Sequence, residues 1–340
     1  MGSFRLLIKV CIPLAGVIVA ALAVVWIFRD LEWTKFTSTV ANAEIFWIPF
    51  LAATILIEQW IRAWKWRQIL FDLKPIGTGR LYGAILAGYA ATILVPLGIS
   101  PFVRSWIIAR LEALKMVTVL ATAAIERFVD GVVFALIALV VAIGSSVALK
   151  NPTLKLGLVS GAAISIAIFG GALWILFKGR QRLARDEALV ARMLDKLSSL
   201  SRRYLGDLRA SLKMGIVWPR DWRRRIGVVV ASLAMKVVAA SHFYWAGLSV
   251  GVTLSFMDYL FLLVVAGFAL VLARFVRVPA GFVIGSGYAL SLLQVPQEQA
   301  LAMVLFNHVL SVLLTVGIGT TVLMSSGLKI RNLARVGESP

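Results

Sequence analysis

From Met116 to Leu149 the chain carries only three charged side chains, Glu126, Arg127 and Asp130, and every other residue is apolar, small or hydroxylic. A stretch of that length excludes most folds open to a water-soluble chain. The hydrocarbon core of a bilayer is about 30 Å thick, so a helix that crosses it takes roughly 20 consecutive apolar residues. Comparable blocks recur at Leu6–Phe28, Ile45–Ile61, Leu154–Phe177, Ile226–Val250 and Gln299–Met324. Apolar residues make up 60% of the 340 and charged residues 15%, where soluble domains hold about half and about a quarter. These blocks predict an all-α polytopic membrane protein. Arg5 and Lys9 precede the apolar run Val10–Phe28, which exceeds the apolar core of a cleaved signal, about 7–15 residues, so it reads as part of a retained first span.

Charge sets the expected orientation. Lys and Arg outnumber Asp and Glu by 35 to 16, for a net charge of +19. In a soluble protein such a surplus points to nucleic acid. Here it points to cytoplasmic loops and to anionic lipid headgroups at their surface, and no nucleic-acid partner is expected. The loop Arg29–Glu44 holds two bases against three acids, whereas Arg62, Lys65, Arg67, Lys74 and Arg80 follow the second block with Asp72 as the one acid among them. Residues 178–225 hold 14 bases and five acids. Both basic segments are therefore placed inside, as are the N-terminus and the C-terminus, the latter with Lys329, Arg331 and Arg335.

That assignment constrains the two remaining apolar stretches. Leu81–Lys115 must begin and end inside, and Phe256–Val295 must begin and end outside. Each is broken, the first at Pro96–Pro101 and the second at Arg274–Gly281. The expectation is six full transmembrane spans plus two opposed re-entrant helical hairpins. Paired breaks of this kind are the pattern of an inverted repeat with a site at its interface. Residues 1–340 then form a single integral membrane domain, with 178–225 as a basic cytoplasmic loop. Within it, Gln181–Gly215 reads either as a helix on the membrane surface or as a solvated linker.

Charge at membrane depth marks candidate function. Glu126 and Asp130 share a helix face, and Arg127 is spaced to pair with Asp130. Arg104 follows the first break, and Arg274 and Arg277 lie within the second. The guanidinium is a planar fork of donors suited to phosphate, so Arg104, Glu126, Arg127, Asp130, Arg274 and Arg277 form the expected substrate-binding set. The same residues also admit a purely structural reading, as ion pairs between helices. No cofactor, metal site or catalytic residue is expected. Cys11 is the sole cysteine, His242 and His308 stand far apart, and Glu126 with Asp130 offers too few oxygens for a divalent ion. An enzyme is not indicated, a membrane-bound transferase being a remote alternative.

The order of these features resembles the flippase-like membrane family typified by the transmembrane region of lysylphosphatidylglycerol synthases, especially its stand-alone members. The resemblance rests on Arg62-Ala-Trp-Lys65-Trp-Arg67, on the break from Pro96 to Arg104, on Glu126-Arg127-Phe128-Val129-Asp130, and on Pro279-Ala280-Gly281 through Gly287. Three departures stand beside it: Ser100-Pro101 where the family often has an acid, Ser286 or Gly287 where it often has Glu, and Asn307-His308 where it often has Arg. The resemblance implies a lipid flippase or transporter in a bacterial-type inner membrane, moving a phospholipid or lipid-linked substrate. The alternative it implies is an accessory subunit for an envelope lipid or glycan enzyme, working with that partner or as a homo-oligomer. No lysyl-transfer domain is read in these residues, so synthesis of an aminoacylated lipid is not implied.

Overall fold

The structure is a computed structural model. It describes residues 18, 20–94, 100–185, 210–212, 214–275 and 280–325, with side chains at 93–94, 180, 182–185 and 274–275 excepted. The described residues are all-helical, with no strand among them. After a helical stretch at 20–27 (α1) come α2, Trp33–Ala41, a short 3-10 turn at Ile45–Trp47, and α3, Ile48–Leu70. Next are α4, Thr78–Leu94, and α5, Ser100–Leu111, then α6, Met116–Gly144, and α7, Ser146–Lys150. The helix α8, Pro152–Ser165, passes through a π turn at Ile166–Gly170 into α9, Gly171–Arg185. The remaining helices are α10, Trp222–Ser249, α11, Phe256–Phe275, α12, Gly281–Leu292, and α13, Gln297–Ser325.

Six described helices are long and apolar enough to cross a membrane: Ile45–Leu70, Met116–Gly144, Pro152–Gly179, Trp222–Ser249, Phe256–Ala273 and Gln297–Ser325. Five of these coincide with the blocks read from the sequence. The sixth, Phe256–Ala273, is the stretch the sequence assigns to a hairpin arm, while most of the expected first span, Leu6–Phe28, lies outside the described residues. So does most of Gln181–Gly215.

Two boundaries differ from expectation. The second span continues to Leu70 instead of ending at Ile61, because Arg62 pairs with Glu58 and Lys65 with Glu126 and Asp130, and no Gly or Pro interrupts the run. The long helix expected over Met116–Leu149 stops at Gly144. Glycine there is a poor helix former, and Ser145 adopts an extended conformation with its side chain accepting a bond from the Ala148 N–H, which caps α7 as a separate helix.

The chain divides into two compact units, each with one pair of consecutive packed helices. One unit comprises residues 1–55, 134–163 and 236–311 and contains the α11–α12 pair. Small residues bring those helices together: a Cβ at Gly281 would lie 2.3 Å from the Ala273 Cβ, and one at Gly285 would lie 2.4 Å from that of Ala269. Apolar lipid gives helices no hydrophobic reason to associate, so close backbone approach at small residues supplies the packing. Phe243 stacks on Phe282, and Phe282 on His308. Ala280, at the start of α12, has φ of 61°, a left-handed conformation that glycine adopts more readily.

The other unit comprises residues 56–133, 164–235 and 312–340 and contains the α4–α5 pair. Its core gathers Trp66 and Leu70 of α3, Leu81, Ile85 and Ala87 of α4, Val103, Ile107 and Ile108 of α5, and Val119 and Ala123 of α6. Here again glycine sets the spacing, since a Cβ at Gly88 would lie 2.9 Å from the Ser100 carbonyl oxygen and 3.3 Å from the Arg104 Cβ. That close approach fixes where Arg104 projects from α5.

Candidate functional site

Glu58, Arg62 and Lys65 follow one another along α3 at intervals of four and three residues, which places them on one helix face. On α6, Glu126 and Asp130 share a face at an interval of four, and Arg127 lies three residues before Asp130. The second unit brings these faces together with Tyr89 of α4 and Arg104 of α5. Lys65 is fully buried and lies between two carboxylates: its ammonium nitrogen is 3.5 Å from Glu126 Oε1 and donates a short hydrogen bond to Asp130 Oδ1. The second oxygen of Glu126 lies 2.8 Å from Arg104 Nη1, and both of these side chains are buried to within 1% of full burial.

The arginines are held from several sides. Arg104 Nη2 donates to the Ala123 carbonyl at 3.5 Å, and its guanidinium carbon lies 4.6 Å from the centre of the Trp66 ring. Trp66 is in turn fixed by its indole N–H, which donates to Thr122 Oγ1 at 3.1 Å. Arg62 donates to Glu58 Oε1 at 2.7 Å and to Gln59 Oε1 at 3.2 Å, and it approaches Asp130 Oδ2 at 3.9 Å. Arg127 Nη2 donates to the Tyr89 hydroxyl at 3.3 Å. Four cations therefore face three carboxylates in a space where unpaired charge is costly.

The structure thus brings together Arg104, Glu126, Arg127 and Asp130 of the sequence-derived set. Arg277 and the side chain of Arg274 lie outside the described residues. The expected Arg127–Asp130 pair does not form within 4.0 Å; Lys65 and Arg62 approach Asp130 instead, while Arg127 turns to Tyr89. Sequence reasoning missed Lys65, Arg62, Glu58 and Tyr89. Lys65 and Arg62 were read as part of a basic loop, although both are buried, at 0% and 7% exposure. The recurrence of charge at 58, 62 and 65 was a signal that helix and cluster continue together.

A second group of charges lies outside the spans. Glu112, in the turn after α5, receives Lys74 at 3.0 Å and Arg80 at 2.8 Å, and its carbonyl accepts from Lys74 at 2.7 Å. The hydrogen bond from Lys74 holds the Glu112 carboxyl below the usual carboxylate range against the opposing effect of burial, and the bond from Arg80 adds to it.

Comparison with curated proteins gives no match, and neither does comparison with solved structures. A family model described as the lysylphosphatidylglycerol synthase TM region matches residues 14–319, a range that includes every member of the buried cluster. With six long apolar helices among the described residues, the molecule is an integral membrane protein linked by family to lipid handling, and the chain belongs to the lysylphosphatidylglycerol synthase TM region family.

Proposed function

We propose that this protein is a flippase or transporter that moves a phosphate-bearing lipid, anionic or polyprenyl-type, across a bacterial-type inner membrane. The observation that carries this reading is the buried cluster in which Arg62, Lys65, Arg104 and Arg127 outnumber Glu58, Glu126 and Asp130. A surplus of cationic donors at membrane depth attracts an anionic group and repels a cation. In this reading the α4–α5 and α11–α12 pairs are re-entrant hairpins entering from opposite faces, related as an inverted repeat, with both termini cytoplasmic. Support for the repeat comes from the presence of one such pair in each compact unit. The basic segment 178–225 rests on anionic headgroups.

The test is headgroup accessibility in vesicles. The purified full chain is reconstituted with trace headgroup-labelled lipids, phosphodiester and phosphomonoester, and the fraction exposed to an impermeant quencher is followed in time. Transport predicts faster exchange than in protein-free vesicles and slower exchange with Arg104→Gln, provided the variant melts as a folded protein. No movement of any lipid in the panel overturns the proposal. Stable co-purification with an envelope lipid or glycan enzyme would then favour an accessory role.

A further inference from the structure

No residue of α2, Trp33–Ala41, is buried, although the chain on either side of it is tied to the protein. The Glu32 N–H donates at 3.1 Å to the side chain of Glu298, at the start of α13. The Glu44 N–H donates at 2.8 Å to the carbonyl of Ser249, at the end of α10. Beyond Glu44, the rings of Trp47 and Phe50 both stack on Trp245 of α10. Between these ties, α2 is two-faced. With about 100° of turn per residue, Phe36, Val40 and Trp33 fall within an arc of about 60°, and Thr34, Lys35 and Ser38 lie on the other side. Trp33 is 69% exposed, and its ring meets that of Phe36 edge-on at 6.0 Å. The hydroxyls of Thr37, Ser38 and Thr39 donate to carbonyls of their own helix. Lys35 is paired with Glu32 at 2.6 Å.

The bilayer lies within reach of this apolar stripe. The helix Ile45–Leu70, long and apolar enough to span, begins four positions after Ala41, so the end of α2 is at most about 14 Å from it. Ile45 and Phe46 are exposed as well, so the chain passes from α2 into the span through apolar residues that the protein does not cover. We propose that α2 lies flat in the membrane–water interface with Trp33, Phe36 and Val40 immersed, and that it binds the acyl–glycerol boundary of the leaflet without choosing among headgroups. Interfacial helices that seek anionic lipid carry many Lys and Arg on the polar face. On α2 that face carries hydroxyls and a single lysine neutralised by Glu32. Its immersion comes from apolar contact, with the Trp33 indole at the depth such rings favour. The leaflet is the non-cytoplasmic one in the orientation proposed above. The choice of leaflet rests on that orientation, and the immersion does not.

The experiment is a depth measurement by electron paramagnetic resonance on the full chain. In a Cys11→Ala background, Trp33→Cys, Thr34→Cys, Ser38→Cys and Val40→Cys each carry a nitroxide, in nanodiscs of phosphatidylcholine with or without phosphatidylglycerol. Collisions with oxygen, which concentrates among acyl chains, are compared with collisions with a water-soluble nickel chelate. Labels at Trp33→Cys and Val40→Cys should favour oxygen several-fold more than those at Thr34→Cys and Ser38→Cys, and should lie about 5–10 Å into the headgroup–acyl boundary. Phosphatidylglycerol and added salt should leave that contrast unchanged. If Trp33→Cys, which removes an anchor, does not fold, Val40→Cys against Ser38→Cys decides, since both side chains are exposed. Equal access of the chelate to every position would place α2 in water and overturn the inference. Shielding of Trp33→Cys and Val40→Cys from both reagents would show a protein surface, a second copy where the labels broaden one another, and overturn it as well. Immersion that requires phosphatidylglycerol overturns the contact without headgroup choice. An inverted topology overturns the leaflet and leaves the depth contrast standing.

Discussion

A buried ammonium such as Lys65 persists only because two carboxylates surround it. Removing ions from water costs several kcal/mol each, and a well-placed partner offsets this. The same logic applies to the Arg104–Glu126 pair, which supplies a direct test. Arg104→Gln and Glu126→Gln should each destabilise the protein by about 3–5 kcal/mol, because each leaves a buried charge poorly compensated. The double variant should lose clearly less than the two losses combined, because both charges disappear together. Equilibrium unfolding in mixed micelles measures this, and additive losses would show that the two side chains are not coupled. Glu126, Arg127 and Asp130 were legible in the sequence because charge inside a long apolar helix has few explanations. Lys65 and Arg62 were not, since basic residues directly after an apolar run normally mark the cytoplasmic loop. What conceals them is that α3 runs on to Leu70 and carries its bases into the protein interior.

At the scale of elements, Glu112 joins the turn between α5 and α6 to Lys74, in the segment between α3 and α4, and to Arg80, in the first turn of α4. Its carboxyl is held below the usual range in the folded state. A group with a depressed folded value contributes stability above its unfolded value, about 4.3, and loses that contribution as pH falls through the lower folded value. The parent protein should therefore lose melting temperature between about pH 5 and pH 3 by more than Glu112→Gln does. The difference should be on the order of 1 kcal/mol or less, because Lys74 and Arg80 are solvent-exposed. Thermal scans across that range check it, and parallel curves for the two proteins would show that Glu112 does not carry the effect. The two helix pairs were legible at this scale because Pro96–Pro101 and the stretch before Gly281 interrupt otherwise continuous apolar runs. The end of α6 at Gly144 was not, since Gly144-Ser145-Ser146 is a mild interruption whose effect depends on the Ser145 cap.

For the whole molecule, orientation is the property that the other proposals depend on. In a Cys11→Ala background, Ser38→Cys and Asn151→Cys should react in intact cells with an impermeant thiol reagent, and Ser199→Cys should react only after permeabilisation. Labelling of Ser199→Cys in intact cells would invert the topology. Five of the six long apolar helices among the described residues were legible because length and hydropathy alone mark them, whereas Phe256–Ala273 was read as one arm of a hairpin because the orientation of its flanking loops decided that reading. One place along the chain has a different kind of freedom. The π turn at Ile166–Gly170 holds one residue more than the α turn it replaces, so α8 and α9 keep their phase around an extra residue. Deleting Ile168, 59% exposed, should close the turn to ordinary α geometry and preserve expression and melting temperature. Deleting Ala135 from the regular winding of α6 should rotate the rest of that helix by about 100° and abolish folding. Insertions and deletions in related chains should then collect at this turn, where length can vary by a residue while both helix faces keep their neighbours.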